Sequence, residues 1–365
     1  MDAIVVDDFG SASVEAVPDP SVRDNELLVS VDRVQMSVTE CALFQGEEVM
    51  GSDIIRKRLE DGEGRFFGHE FCGTVKDIGS DVEQFSSGDR VYAPGKIICG
   101  SCPYCAAGVP SLCENYRTLG THRSGALAEL VAAPAEIFRS IPDTISDAEG
   151  AALQPLADVT LSVHDVGVTS GDTVAIVGSG IMGFYCGQVM LAEGAGHVLS
   201  IDVDPTKVDL AKSQGMTGIN ATTSDPVDVV KEKTGQRGAD IVVEAVGGDQ
   251  SMATEGSDPL AQAFEMVRPG GTILQTGIIS GTISMDPRKF RAKGVRWHNP
   301  LIGMVRPSPS MDIGELAVEL VALDRVSITE YITHELNGLD SFEAAVDITM
   351  NQQGHDALGP AQLVL

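Results

Sequence analysis

Thr173-Val174-Ala175-Ile176-Val177-Gly178-Ser179-Gly180-Ile181-Met182-Gly183 decides the fold. Five apolar or β-branched residues read as a buried strand and run straight into a G-x-G-x-x-G turn. The first glycine, Gly178, permits a sharp strand-to-helix turn. Gly180 lets a pyrophosphate approach the backbone, and Gly183 lets the next helix pack closely on the sheet. A phosphate at Gly180, Ile181 and Met182 would meet unpaired backbone N–H groups and the positive end of that helix, which we expect to start after Gly183. Asp202 follows Gly183 by 19 residues and closes the next predicted strand, where a carboxylate can accept from both hydroxyls of an adenosine ribose. An acid there repels a 2′-phosphate, so NAD is favoured over NADP, and Lys207 softens that preference.

The same grammar extends outward from this turn. A helix over 151–166 is expected before it. After it come strand 198–202, helix 205–214, strand 241–245, helix 260–267 and strand 271–276. Strands alternating with helices imply a parallel, doubly wound sheet. The first 150 residues read differently, as short strands at 3–7, 26–34, 70–78, 90–92 and 128–133 separated by Gly, Pro and Asp, which favours an all-β unit. The expectation is an α/β protein: a β-rich domain over 1–155, a dinucleotide domain over 156–294, and a tail over 295–365 whose strand 362–365 returns to the first domain.

Composition sets outer limits. The chain has 365 residues, 53 Asp and Glu against 25 Lys and Arg, and a formal charge of −28. That balance opposes contact with nucleic-acid phosphates. Hydrophobic residues make up 43%, enough for two cores, so the acids belong on a folded surface. They comprise 30 Asp and 23 Glu beside only 9 Lys, a pattern that points to adaptation to high salt. No run approaches the roughly 18 apolar residues of a membrane span. The acidic start lacks the features of a signal peptide, so a cytoplasmic protein is expected.

Cys99, Cys102, Cys105 and Cys113 lie in one loop with glycine, proline and small residues between them. Four thiolates close a tetrahedral Zn²⁺ shell with no open position, which makes a structural site. The seven-residue gap before Cys113 does not match the iron–sulfur run that the first three cysteines suggest.

Gly68-His69-Glu70-Phe71-Cys72-Gly73-Thr74-Val75, the cysteine loop and the later glycine turn, in this order, resemble the zinc-containing medium-chain dehydrogenases, which include alcohol, sorbitol and threonine dehydrogenases. The resemblance covers nearly the whole chain. It implies a GroES-like β-rich catalytic domain, a Rossmann domain, a homodimer or homotetramer, and hydride transfer between a nicotinamide and a small alcohol, polyol or sugar-like substrate in a cleft between domains. It also implies a catalytic zinc held by His69, Glu70 and further ligands, with Thr39 passing the alcohol proton towards solvent.

Two residues depart from the family pattern. Ser37 stands where the family keeps a Cys ligand, and Gln154 stands where sorbitol- and threonine-type members keep a Glu. A serine hydroxyl is a poor zinc ligand, and glutamine lacks the charge to hold a metal. Three readings follow: zinc completed by a relocated ligand such as Glu40, Cys41 or Cys72; a weak, exchangeable metal; or no catalytic metal, with His69 and Thr39 acting directly on the substrate oxygen. Beside a dehydrogenase, the departures leave open a quinone- or enone-type reductase without catalytic zinc, and a non-enzymatic nucleotide-binding regulator.

Overall fold

In the computed structural model, residues 1–251, 257–300 and 310–365 are described, and the chain divides into two compact units. The expected tail over 295–365 includes residues 301–309, which lie outside the described residues.

The unit formed by Val159–Leu301 and Asp324–Ser327 is built on six parallel strands. Their order is Thr217–Asn220, His197–Asp202, Thr173–Val177, Ala239–Glu244, Val267–Gln275 and Arg296–His298. The chain starts in the middle at Thr173–Val177, builds outward to one edge, then crosses to Ala239–Glu244. That reversal is the switch point at which doubly wound sheets bind ligands, outside the carboxyl ends of the strands. Helix Ile181–Ala192 packs on the sheet, with Phe184 to Met190 all buried, so its apolar residues run round the whole helix. Strand Thr217–Asn220 and helix Pro226–Lys233 escaped the sequence reading. The strand is only four residues long and holds a glycine, and the helix is announced mainly by Asp225, whose side chain accepts from Val227 and Asp228 N–H.

The other unit comprises Met1–Asp158, Ile302–Leu323 and Ile328–Leu365. Its main sheet runs Glu335–Asn337, Gln362–Val364, Glu26–Gln35, Phe71–Ile78, Arg90–Tyr92, Arg139–Ser140, and Leu130–Pro134 also pairs with Glu26–Gln35. Strand Gln362–Val364 thus returns to the first domain, antiparallel to Glu26–Gln35. Buried contacts hold the later segments in place. Arg139 Nε donates to the buried Asp312 at 2.7 Å, and Tyr92 Oη donates to the Gly314 carbonyl at 2.7 Å. The all-β expectation needs correction here. Helices Val38–Phe44 and Ser52–Glu60 lie between the strands, and both are too short to show a clear helical period in sequence.

Candidate functional site

Each unit carries part of the chemistry. In the parallel-sheet unit the three glycines hold three distinct positions. Gly178 has φ of +95°, a conformation L side chains avoid. A side chain at Gly183 would run into the Gly178 carbonyl oxygen, whereas one at Gly180 would meet no protein atom within 4 Å. The open space in front of Gly180 is where a pyrophosphate fits. The helix begins at Ile181, with Gly180 as its N-cap, and not after Gly183 as expected from sequence. A glycine cap leaves the first-turn N–H groups without a side-chain acceptor, as anion binding requires.

Asp202 closes its strand as predicted, and its carboxylate accepts from Ser179 N at 2.7 Å and Asp204 N at 2.9 Å. It therefore braces the glycine turn. Lys207 lies in the first turn of helix Pro205–Ser213.

Glu244 was missed in sequence, although a carboxylate ending a strand of Val and Ile was a visible signal. It is fully buried at the carboxyl end of the strand beside Thr173–Val177. One carboxylate oxygen, Oε1, accepts from Val246 N and Gly247 N at 2.9 Å and from Gln250 Nε2 at 3.0 Å. The Glu244 carbonyl takes Thr276 N and Gly277 N. One residue thereby pins both loops that border the switch point, while Oε2 has no hydrogen-bond partner among the described residues.

In the β-rich unit, Cys99, Cys102, Cys105 and Cys113 bring their sulfur atoms within 4.8 Å of one another. A tetrahedral shell with Zn–S near 2.3 Å needs sulfurs about 3.8 Å apart, so the cage is close to closing. Backbone N–H groups of Ser101 and Cys102 lower the Cys99 thiol to about 5, favouring a thiolate, while desolvation and the neighbouring thiols raise Cys105 to about 12. The four residues fit a structural zinc.

His69 is presented by an unusual stretch of backbone. Phe67 has φ of +63° and is buried, and Gly68 follows at +83°. The strain is held by Phe67 N donating to Gly120 O at 2.7 Å and by Gly68 N donating to Glu40 Oε2 at 2.8 Å. His69 Nδ1 then lies 2.7 Å from Glu40 Oε1, and Nε2 lies 3.8 Å from Glu70 Oε1. Gln35 Nε2 donates to the other Glu70 oxygen at 2.6 Å, and Ser37 also hydrogen-bonds Glu70. Burial works against a charged ring, but Glu40, Glu70 and Asp158 outweigh it and hold His69 up at about 9. Burial also raises the Glu70 carboxyl, opposed by His69, Gln35 and Ser37.

Thr39 sits in the first turn of helix Val38–Phe44, whose N-cap is Ser37. Gln154 is buried in helix Leu153–Val166 and donates to Asp158 Oδ2 at 2.9 Å. Of the three replacement ligands, Glu40 reaches His69, at Nδ1, and the thiols of Cys41 and Cys72 form no ligand cluster with it among the described residues. Cys41 does lie one helical turn from Ser37, but its thiol is buried in the core, hydrogen-bonds Thr349, and is pushed far up by burial. Cys72 Sγ donates to Asp147 O at 3.1 Å. Glu40 orients the ring through Nδ1. Among the described residues, the only cluster of three or more His, Cys, Asp or Glu ligand atoms is the four-cysteine cage. At His69 the donor set offers one imidazole and one carboxylate where a catalytic zinc takes three protein ligands, so it does not fit a closed catalytic shell.

Trp297 packs within the parallel-sheet unit, stacked on Phe290 at 6.1 Å with its indole N–H donating to Gln275. No helix among the described residues is long and apolar enough to cross a membrane.

Comparison with known proteins agrees with this architecture. Residues 23–143 match the alcohol dehydrogenase GroES-like domain, and residues 182–322 match the zinc-binding dehydrogenase domain. The chain is 27% identical to the L-threonine 3-dehydrogenase of Bacillus velezensis over 356 residues, 97% of this chain and 96% of that one. It resembles the crystal structure of a protein from Sinorhizobium meliloti described as a zinc-binding dehydrogenase bound to NADP, with TM-score 0.83, 26% identity and coverage of 100% and 99%. An alcohol dehydrogenase from Thermus sp. ATN1 matches with TM-score 0.81, 26% identity and the same coverage. With both domains present in order around a glycine turn and a four-cysteine cage, the chain belongs to the zinc-containing medium-chain dehydrogenase family.

Proposed function

We propose that His69, oriented by Glu40 and faced by Glu70, is the group through which this NAD(P)-dependent alcohol or polyol dehydrogenase stabilises the substrate oxygen as its proton leaves. The observation that carries this reading is the division of the imidazole between two carboxylates, one on each ring nitrogen. A nicotinamide dinucleotide, its pyrophosphate held by the glycine turn, would supply the hydride acceptor or donor. The hydroxyl proton must leave as the hydride does, and a charged His69 stabilises the oxygen that loses it. Thr39 is positioned by the helix that starts at Ser37 and supplies a hydroxyl for the relay. Gly178, Gly180, Ile181, Met182 and Gly183 hold the pyrophosphate, and Asp202 the ribose. Lys207 is the neighbouring cation that tempers the choice between NAD and NADP.

The two-donor set around His69 favours a variant of this reading in which substrate polarisation comes from the imidazole and not from a tightly held metal. Metal analysis separates the two. One zinc per chain after exhaustive dialysis, with turnover retained, supports the imidazole; two per chain removes that variant. The dehydrogenase reading itself is tested by fluorescence titration with NADH and NADPH, followed by turnover of alcohols and diols by the wild type and His69→Ala. Absence of dinucleotide binding would refute it.

Cys41, Cys72 and Cys186 are buried and unpaired, which suits a reducing cytoplasm. A homodimer or homotetramer, checked by light scattering, completes the proposal.

A further inference from the structure

A carboxylate is missing at Gln154, and one is present a helical turn later. Gln154 and Asp158 are four residues apart on one face of helix Leu153–Val166, where the amide donates to Oδ2 at 2.9 Å. Burial raises the Asp158 carboxyl, and Gln154, His69 and Lys96 act against that rise. Asp158 does not join His69 and Glu70 in a metal-sized cluster, so its use is to be sought among the groups of the substrate.

Lys96 is half-buried, with Nζ 4.1 Å from the centroid of the Tyr116 ring. Tyr116 meets His122 edge-on at 5.3 Å, and His122 Nδ1 is 3.0 Å from Thr118 Oγ1. Ile97 and Arg117 exchange backbone hydrogen bonds of 2.8 and 2.9 Å, which fixes the two segments side by side. The second segment reaches the His69 site directly. A side chain at Gly120 would collide with Glu40 Oε1, and the Gly120 carbonyl holds Phe67, two residues before His69. Lys96 and His69 are thus mounted on one frame.

The charges on this frame run against the rest of the chain. Arg58, Lys96 and Arg117 act together on His122 and lower it, after burial, in a protein of formal charge −28. Arg58 is satisfied by Glu63 and the Thr121 carbonyl, each at 2.6 Å. Lys96 forms no ion pair among the described residues; the Asp158 carboxylate acts on it from a distance. A half-buried ammonium next to further cations is offset most directly by an anion brought by a ligand.

We propose that Lys96 binds an anionic group of the substrate, a carboxylate or a phosphate, with Asp158 as the charge that holds the ammonium at the His69 end of the site. The substrate is then a hydroxylated anion in preference to a neutral alcohol. This rests on the dehydrogenase reading above.

The test compares kcat/KM for 3-hydroxybutyrate, glycerol 1-phosphate and 2,3-butanediol at saturating dinucleotide, in the wild type, Lys96→Met and Lys96→Arg. The wild type is expected to prefer one of the two anions over the diol by about tenfold or more, the scale of one charge-assisted hydrogen bond. Lys96→Met should lose that preference, and Lys96→Arg should recover most of it. Which anion is preferred distinguishes carboxylate from phosphate. Unchanged zinc content and thermal midpoint show that Lys96→Met is folded. If neither anion is preferred, or the preference survives in Lys96→Met, the inference is overturned while the dehydrogenase stands. No turnover of any of the three, with dinucleotide bound, overturns both.

Discussion

His69 Nδ1 lies 2.7 Å from Glu40 Oε1, which turns Nε2 to the opposite side, 3.8 Å from Glu70. Removing the negative charge while keeping the shape isolates what Glu40 does. Glu40→Gln still offers an oxygen to the Gly68 N–H, so the backbone turn should survive. We expect kcat to fall about tenfold in Glu40→Gln and about 10²- to 10³-fold in His69→Ala, the range for losing a group that stabilises a developing oxyanion. Equal rates for Glu40→Gln and wild type in steady-state assays would show that the ring is oriented by something else.

The cysteine cage makes a separable prediction. Cys99→Ser removes the thiol that the backbone holds most readily as a thiolate. Zinc should drop from one per chain towards zero and the thermal midpoint should fall. Dinucleotide affinity should be unchanged, because the glycine turn belongs to the other compact unit. A variant that keeps its zinc would contradict the assignment of these four residues.

Asp202 accepts from two backbone N–H groups, and we propose that it also holds the ribose. Asp202→Ala should raise the KM for NAD by about tenfold or more, on the scale of a hydrogen bond to a charged group, and raise that for NADP less, since the repulsion of a 2′-phosphate is lost too. An NAD to NADP ratio unchanged by the substitution would remove Asp202 from the specificity argument.

Glu244 predicts a contrast between two substitutions. Glu244→Ala leaves the Val246 and Gly247 N–H groups without their acceptor and should destabilise the protein by about 2–4 kcal/mol. Glu244→Gln keeps the oxygen that makes all three hydrogen bonds and should cost about 1 kcal/mol or less. Thermal or urea unfolding checks both; equal losses would mean that the charge matters and not the acceptor.

The acid excess carries a prediction about solvent. A surface with 53 acids and 25 bases repels itself at low ionic strength and is relieved by screening. Stability measured by thermal unfolding should rise from dilute buffer to multimolar KCl. A flat dependence would leave the low lysine count as an accident of composition.

The parallel-sheet unit was legible because its signals are local. A run of Val and Ile, three glycines with fixed offsets and an acid at the next strand end all sit within thirty residues, and strand Thr173–Val177 begins and ends where the sequence says. The surroundings of His69 were not legible, because they are assembled across large separations. Glu40 reaches His69 across a turn that depends on left-handed backbone at Phe67, which no propensity announces. Asp158 reads in sequence as one more acid among many, and only the helix shows that Gln154 holds it. Ser37 and Gln154 were recognisable as departures from a pattern, yet what stands in their place needed the fold.

The pairing of strand Gln362–Val364 with Glu26–Gln35 also bears on how the chain assembles at the ribosome. Gln362 Nε2 donates to Gln35 Oε1, 327 residues away in sequence, and Gln35 in turn donates to Glu70. The nucleotide-binding unit is almost wholly contained between Val159 and Leu301, so it can complete its sheet while Glu26–Gln35 still lacks strand Gln362–Val364. Vectorial synthesis therefore lets the cofactor fold mature first, while Gln35, which donates to Glu70, gains its Gln362 contact only after residue 362 has emerged.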